Sequence, residues 1–209
     1  MMKDWLNIPS KGGLQKYLVK ASSGSFIAIG ISIVLTFITS IVLARYLGPE
    51  KYGIYAFIIS LVVLFSHIAS LGYDNLISRE MAKYRSLDQK GKSNALFRFG
   101  LSKILPLSVI VALLLVFSSS VFPILNSISI SDKTIAFAAI PFIVVMLYLS
   151  AGLQGNQHII SSVFPERIIR PVIFLGLLLI LCLNSNGLNI TNVLLYSTLA
   201  YLVASIISF

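Results

Sequence analysis

Apolar residues run almost unbroken near 22–44, 54–72, 101–121, 134–153, 168–184 and 192–209, and the glycines, prolines and charges collect between the runs. A helix needs about 20 consecutive apolar residues to cross a hydrocarbon core. The pattern therefore predicts an all-α, polytopic membrane bundle of about six transmembrane helices. The fifth run stands at the lower limit of what spans. The first run exceeds the length of a signal-peptide core, no small-x-small cleavage site follows it, and Arg45 with Gly48-Pro49 reads as a turn, so it stays in the mature chain. Residues 1–20 form a basic cytoplasmic or interfacial lead and 21–209 the membrane lobe.

Ile41 to Arg79 organises the rest. One apolar run leaves, Leu47-Gly48-Pro49-Glu50-Lys51-Tyr52-Gly53 turns, and a second run returns to close on Ser70-Leu71-Gly72-Tyr73. Proline fixes its own φ and glycine tolerates backbone angles that other residues avoid, so these residues suit a break that faces water. The helix before the turn carries a polar stripe. Ser25, Ser32, Thr36 and Thr39 fall within about 60° of one another, with Ser22 and Ser40 at the border. Ser32-Thr36-Ser40 is also a small-xxx-small ladder, so the stripe either packs against a neighbour or lines a wet cavity. On the returning run, His67 is a functional candidate because an ionisable group in a membrane is costly unless it faces protein or water. A neutral imidazole bonded to a carbonyl is the competing reading.

Composition and charge sharpen this picture. The chain of 209 residues is 57% hydrophobic and only 11% charged, with a net charge of +9 and a mean hydropathy of +0.93. Soluble domains carry about 25% charged residues. With a cytoplasmic N-terminus, thirteen basic residues fall on one side, from Lys3 through Lys103 to Arg167 and Arg170, against Arg45, Lys51 and Lys133 on the other. The positive-inside rule reads this as N-terminus in. The cations then serve topology and anionic headgroups rather than nucleic acid. Cys182, the single cysteine, lies in an apolar run and has no partner for an internal disulfide.

The connections add little chemistry. Leu14, Tyr17 and Leu18 keep helical spacing in the basic lead, which reads as an interfacial segment or a disordered tail. Residues 73–103 read as helix-prone, with a flexible polar break from Asp88 to Asn94. Gly91-Lys92-Ser93 is no phosphate loop, because position 86 is serine and no strand precedes it. Gly152-Leu153-Gln154-Gly155-Asn156 ends the fourth run, and a polar connection containing His158 leads to Arg170. Asn189-Ile190-Thr191 is a glycosylation acceptor by chance. The last run reaches Phe209 with no basic cap, which predicts a truncated lobe.

Ala44-Arg45-Tyr46-Leu47-Gly48-Pro49-Glu50-Lys51-Tyr52-Gly53, followed by Leu71-Gly72 and Arg79, resembles the start of polysaccharide-biosynthesis membrane proteins of the oligosaccharide flippase type. Gly24-Ser25, Leu153-Gln154-Gly155 and Glu166…Arg170-Pro171 fit the same pattern. The resemblance implies one lobe of a two-lobe transporter of the multidrug and toxin extrusion (MATE-like) superfamily. Such a transporter moves undecaprenyl-pyrophosphate-linked oligosaccharide across the bacterial cytoplasmic membrane for O-antigen, capsule or exopolysaccharide. It implies lipid-linked oligosaccharide and membrane lipids as partners, the missing C-terminal lobe or other glycan-assembly proteins beside them, and leaves open whether H⁺ or Na⁺ is coupled. It also makes Arg45 the leading cavity cation, with His67 and Arg79 behind it and the hydroxyls of Ser25, Ser32 and Thr36 alongside.

Three other readings compete. A cation-coupled multidrug antiporter would want a carboxylate within the membrane, yet Asp4, Glu50, Asp74, Glu80, Asp88, Asp132 and Glu166 all lie at or outside the expected helix ends. A membrane enzyme would want a carboxylate pair or a metal site, and no HExxH, DxD or nucleophile–base arrangement occurs. No metal, cofactor or catalytic residue is expected. The third is an inactive lobe, or a structural partner in a glycan-synthesis complex.

Overall fold

The computed structural model describes residues 11–117, 129–155, 159–184 and 189–208, and among them every regular element is helical. Among the described residues four stretches are long and apolar enough to cross a membrane: Ser23–Ser70, Gly91–Phe117, Ile130–Gly155 and Ile190–Ser208. The protein is an all-α polytopic membrane bundle.

Helix α1 (Lys11–Ser70) is two helical arms joined at a single non-helical residue, Gly48 (φ 78, ψ 164). The seven-residue turn expected from sequence is therefore compressed into one glycine, with Pro49 already inside the next helical arm. The bend folds the arms together, since Thr36 and Leu43 of the first line the same cavity as Tyr52 and Ile59 of the second. Gly48 occupies backbone space that is essentially closed to residues with a Cβ. An added Cβ would meet nothing within 4 Å there, so the obstacle is conformational alone. Gly48→Ala is expected to cost about 1–3 kcal/mol and to lower the unfolding temperature of the protein in nanodiscs. Unchanged unfolding would mean that the bend does not depend on glycine.

A second reversal at Leu71 (φ 47) and Gly72 (φ 73) leads into α2 (Tyr73–Ser86). This short helix is amphipathic: Ile77 and Met81 are buried while Arg79, Lys83 and Arg85 face outward. Helix α3 (Lys90–Phe117) begins inside the expected polar break, leaving just residues 87–89 outside helix. Its first turn takes in Gly91-Lys92-Ser93, and Ser93 is buried. Helices α4 (Ile130–Phe137) and α5 (Ala139–Gly155) form one span interrupted at Ala138. Pro141 accounts for the interruption, because it cannot donate to the carbonyl of Phe137 and its ring crowds that group. Ser129 caps α4, its hydroxyl accepting from the Ser131 amide at 3.4 Å.

Helix α5 is the centre of the bundle. Eleven of its 17 residues are buried, and it packs against α1, α2, α3 and the last helix, α8 (Ile190–Ser208). The Tyr148 hydroxyl donates to the Phe97 carbonyl of α3 at 2.8 Å, and the two rings lie 5.1 Å apart. The first arm of α1 is the opposite case, with Phe26, Ile27, Ile33, Val34 and Phe37 all exposed. Such a surface is costly in water but suited to hydrocarbon, where a helix satisfies its own backbone and needs no polar partner.

The fifth apolar run departs most from expectation. Helix α6 (Ile159–Phe164), a π-helical turn (Pro165–Ile169) and α7 (Arg170–Asn184) follow one another without a break. The stretch expected to be a polar connection is therefore helical from Ile159 onward. Its chemistry explains the wide turn. Pro171 has no N–H, and its ring would clash with the carbonyl of Arg167 in a regular helix. Widening by one residue relieves that clash, and the Arg170 amide bonds to the Pro165 carbonyl, five residues back.

Candidate functional site

Because the helix begins at Ile159, Arg170 is not at its end. At 1.5 Å per residue it lies roughly 16 Å from the first residue and roughly 21 Å from the last. Arg170 therefore lies well along this helix rather than at its start. Removing Arg170 from the basic-inside tally leaves the sense of that tally unchanged.

Arg170 opens onto a cavity of about 240 Å³. Thr36, Thr39, Ser40 and Leu43 form one wall and Tyr52, Tyr55, Ala56 and Ile59 the second. Pro171 and Phe174 of α7 and Ser197, Ala200 and Tyr201 of α8 close it. The bend at Gly48 supplies two of these walls, and the π turn sets the register of the third. Among the described residues lining the cavity, Arg170 is the single charged one.

Its partner there is Tyr201, buried on α8. The Arg170 guanidinium donates to the Tyr201 hydroxyl, and its central carbon lies 4.9 Å from the centroid of the same ring. One turn further along α7, Phe174 stacks on Tyr55 with ring centroids 6.4 Å apart and planes 18° from parallel. The hydroxyls of Thr39, Ser40 and Ser197 donate to carbonyls of their own helices, at 2.7, 2.9 and 2.8 Å. Their oxygens keep lone pairs for a ligand's hydroxyls. The chamber thus offers N–H donors from one fixed cation, acceptors from several hydroxyls, and aromatic faces. It can bind an anionic group carrying polyhydroxylated or apolar attachments.

The residues singled out from sequence are spread more widely. Thr36 lines the cavity. Ser32 is buried one turn away and Ser25, half-buried, lies further along the same arm; neither lines the chamber. Arg45 is exposed three residues before the bend. His67 is exposed three residues before the end of α1. Arg79 is exposed on α2, 3.4 Å from Glu80. Sequence reasoning missed Arg170, Tyr201 and Tyr55 as site residues. The available signal was Arg170-Pro171 at the head of an apolar run, which counts as a cytoplasmic charge unless the helix is known to start eleven residues earlier.

A polytopic helical bundle holding a largely apolar chamber with one arginine and several hydroxyls has a form suited to a membrane transporter. The model of the polysaccharide biosynthesis protein family matches residues 18–209, and the chain belongs to that family. Its members are generally transporters rather than enzymes. No curated protein and no solved structure matches the chain.

Proposed function

We propose that this chain forms part of a transporter that moves undecaprenyl-pyrophosphate-linked oligosaccharide repeat units from the inner to the outer leaflet of the bacterial cytoplasmic membrane. The glycan would go to O-antigen, capsule or exopolysaccharide, and the N-terminus would face the cytoplasm. The observation that carries this reading is Arg170, a cation partway along a helix of the bundle that faces a chamber bearing several hydroxyls. A pyrophosphate-linked glycan is anionic and polar, so hydrocarbon opposes its passage. A fixed guanidinium and several hydroxyls replace part of the water it leaves behind.

The chamber's 240 Å³ falls below the roughly 300–1,000 Å³ of sites that enclose drug-sized ligands. It holds one polar group of the substrate, and passage of a whole repeat unit requires the walls to separate. In this scheme Arg79 on α2 meets the pyrophosphate at the inner face, Arg170 holds it at mid-depth, and Arg45 receives it near the outer bend. Arg45→Ala is therefore expected to slow export about tenfold, the loss of one exposed charge-assisted contact, with membrane insertion unchanged. Wild-type export by that variant would remove Arg45 from the path.

The test of the function itself is deletion of the gene. Lipid-linked repeat units should accumulate on the cytoplasmic leaflet and surface glycan should disappear, both reversed by the intact gene. An unchanged leaflet distribution in the deletion strain would end this reading.

A further inference from the structure

We infer that Tyr201 is a positioning residue that pins the Arg170 guanidinium so that its remaining N–H groups point into the chamber, an inference that rests on the proposed anion-binding role of this cavity. An arginine side chain is long and loses much rotamer freedom when it is held in one place. Here the holding is done before any ligand arrives. The Tyr201 hydroxyl accepts one N–H and its ring lies close to the guanidinium carbon. Tyr201 is itself fixed, with 4% of its surface exposed. The Arg170 backbone is fixed by the π turn behind it.

The chemistry of the partner decides what remains. A carboxylate in the place of Tyr201 would neutralise Arg170 and compete directly with an anionic ligand. A phenol accepts one hydrogen bond and leaves the full positive charge, and four of the five guanidinium N–H groups, available. Ordering without neutralisation is what preorganised anion recognition needs. No ion pair involving Arg170 occurs among the described residues, where Arg79, Lys83 and Arg167 each have a carboxylate within 4 Å. The cavity cation differs from these surface cations in having a neutral partner.

The test uses the full chain in nanodiscs of zwitterionic lipid, with inorganic pyrophosphate titrated and followed by ³¹P NMR, which reads even millimolar binding. Tyr201→Phe removes the accepting oxygen and keeps the ring. It is expected to weaken pyrophosphate binding about three- to tenfold, at an unchanged unfolding temperature, and to change nothing further on an Arg170→Ala background. Binding by Tyr201→Phe equal to or tighter than wild type overturns the inference. So does a loss of equal size on the Arg170→Ala background, or a loss accompanied by a lower unfolding temperature, since either shows Tyr201 acting through packing. If wild type does not bind pyrophosphate, or Arg170→Ala binds it equally well, the anion-site reading itself fails.

Discussion

Alanine at Arg170 is expected to reduce translocation of lipid-linked repeat units at least about a hundredfold, the loss of two charge-assisted contacts to an anion in a low-dielectric site. The variant should still insert into the membrane at wild-type levels. A charged residue near the middle of a spanning helix costs about 2.5–3.5 kcal/mol on insertion scales, so alanine makes the span easier to place. What it leaves behind is the Tyr201 hydroxyl without its donor, a modest loss beside the relief of charge. Arg170→Lys separates charge from geometry. Lysine keeps the cation but presents no planar fork, and an intermediate rate is expected. The comparison is made in proteoliposomes with equal amounts of inserted protein. Wild-type translocation by Arg170→Ala would show that the chamber is not on the substrate's path.

The reason Arg170 escaped a reading of the sequence lies in where hydropathy ends a helix. Residues 156–170 carry polar groups, Pro165 opens the π turn and Pro171 follows it, so an apolar run read from the sequence begins only near 168. The fold keeps the helix going because one wide turn accommodates Pro171, and nothing in an apolar pattern encodes a π turn. Helix α1 shows what was legible. Its apolar runs, its bend and its polar stripe all follow from local composition, and Thr36, Thr39 and Ser40 of that stripe do face a cavity. The same stripe could have packed against a neighbour, and Ser32, buried and outside the lining, belongs to that alternative. His67 was attractive because an ionisable group in an apolar setting is costly, and Arg45 because of the family resemblance. That logic needs the side chain's direction, which composition does not supply. Both turn out to be exposed close to the ends of their arms. The partnership of Arg170 with Tyr201 joins residues 31 positions apart on different helices, and a single sequence holds no record of such a pairing.

A leucine at Gly155 is expected to separate α2 from α5. A Cβ on Gly155 would lie 2.8 Å from the Met81 Cβ and 2.9 Å from the Ser78 carbonyl oxygen, so the obstacle is α2 itself rather than the tip of a movable side chain. Gly152 faces a softer neighbour, the edge of the Phe97 ring at 2.8 Å, and should tolerate alanine better. Overpacking a tight contact by a few atoms costs about 1–3 kcal/mol, occasionally more. Close approach through glycine is how helices associate where no hydrophobic force drives them together. Gly155 also ends the Leu153-Gln154-Gly155 stretch quoted above for its family resemblance, and the contact with α2 gives that glycine a physical reason. The consequence can be read chemically. On a Cys182→Ser background, Ile77→Cys places a thiol at a position with 0% exposure on the buried face of α2. It should resist a water-soluble maleimide in the otherwise wild-type protein and react readily once Gly155→Leu is added. Equal protection in both would mean that α2 is held by its other contacts, with α3 above all, and that Gly155 is not what lets it dock.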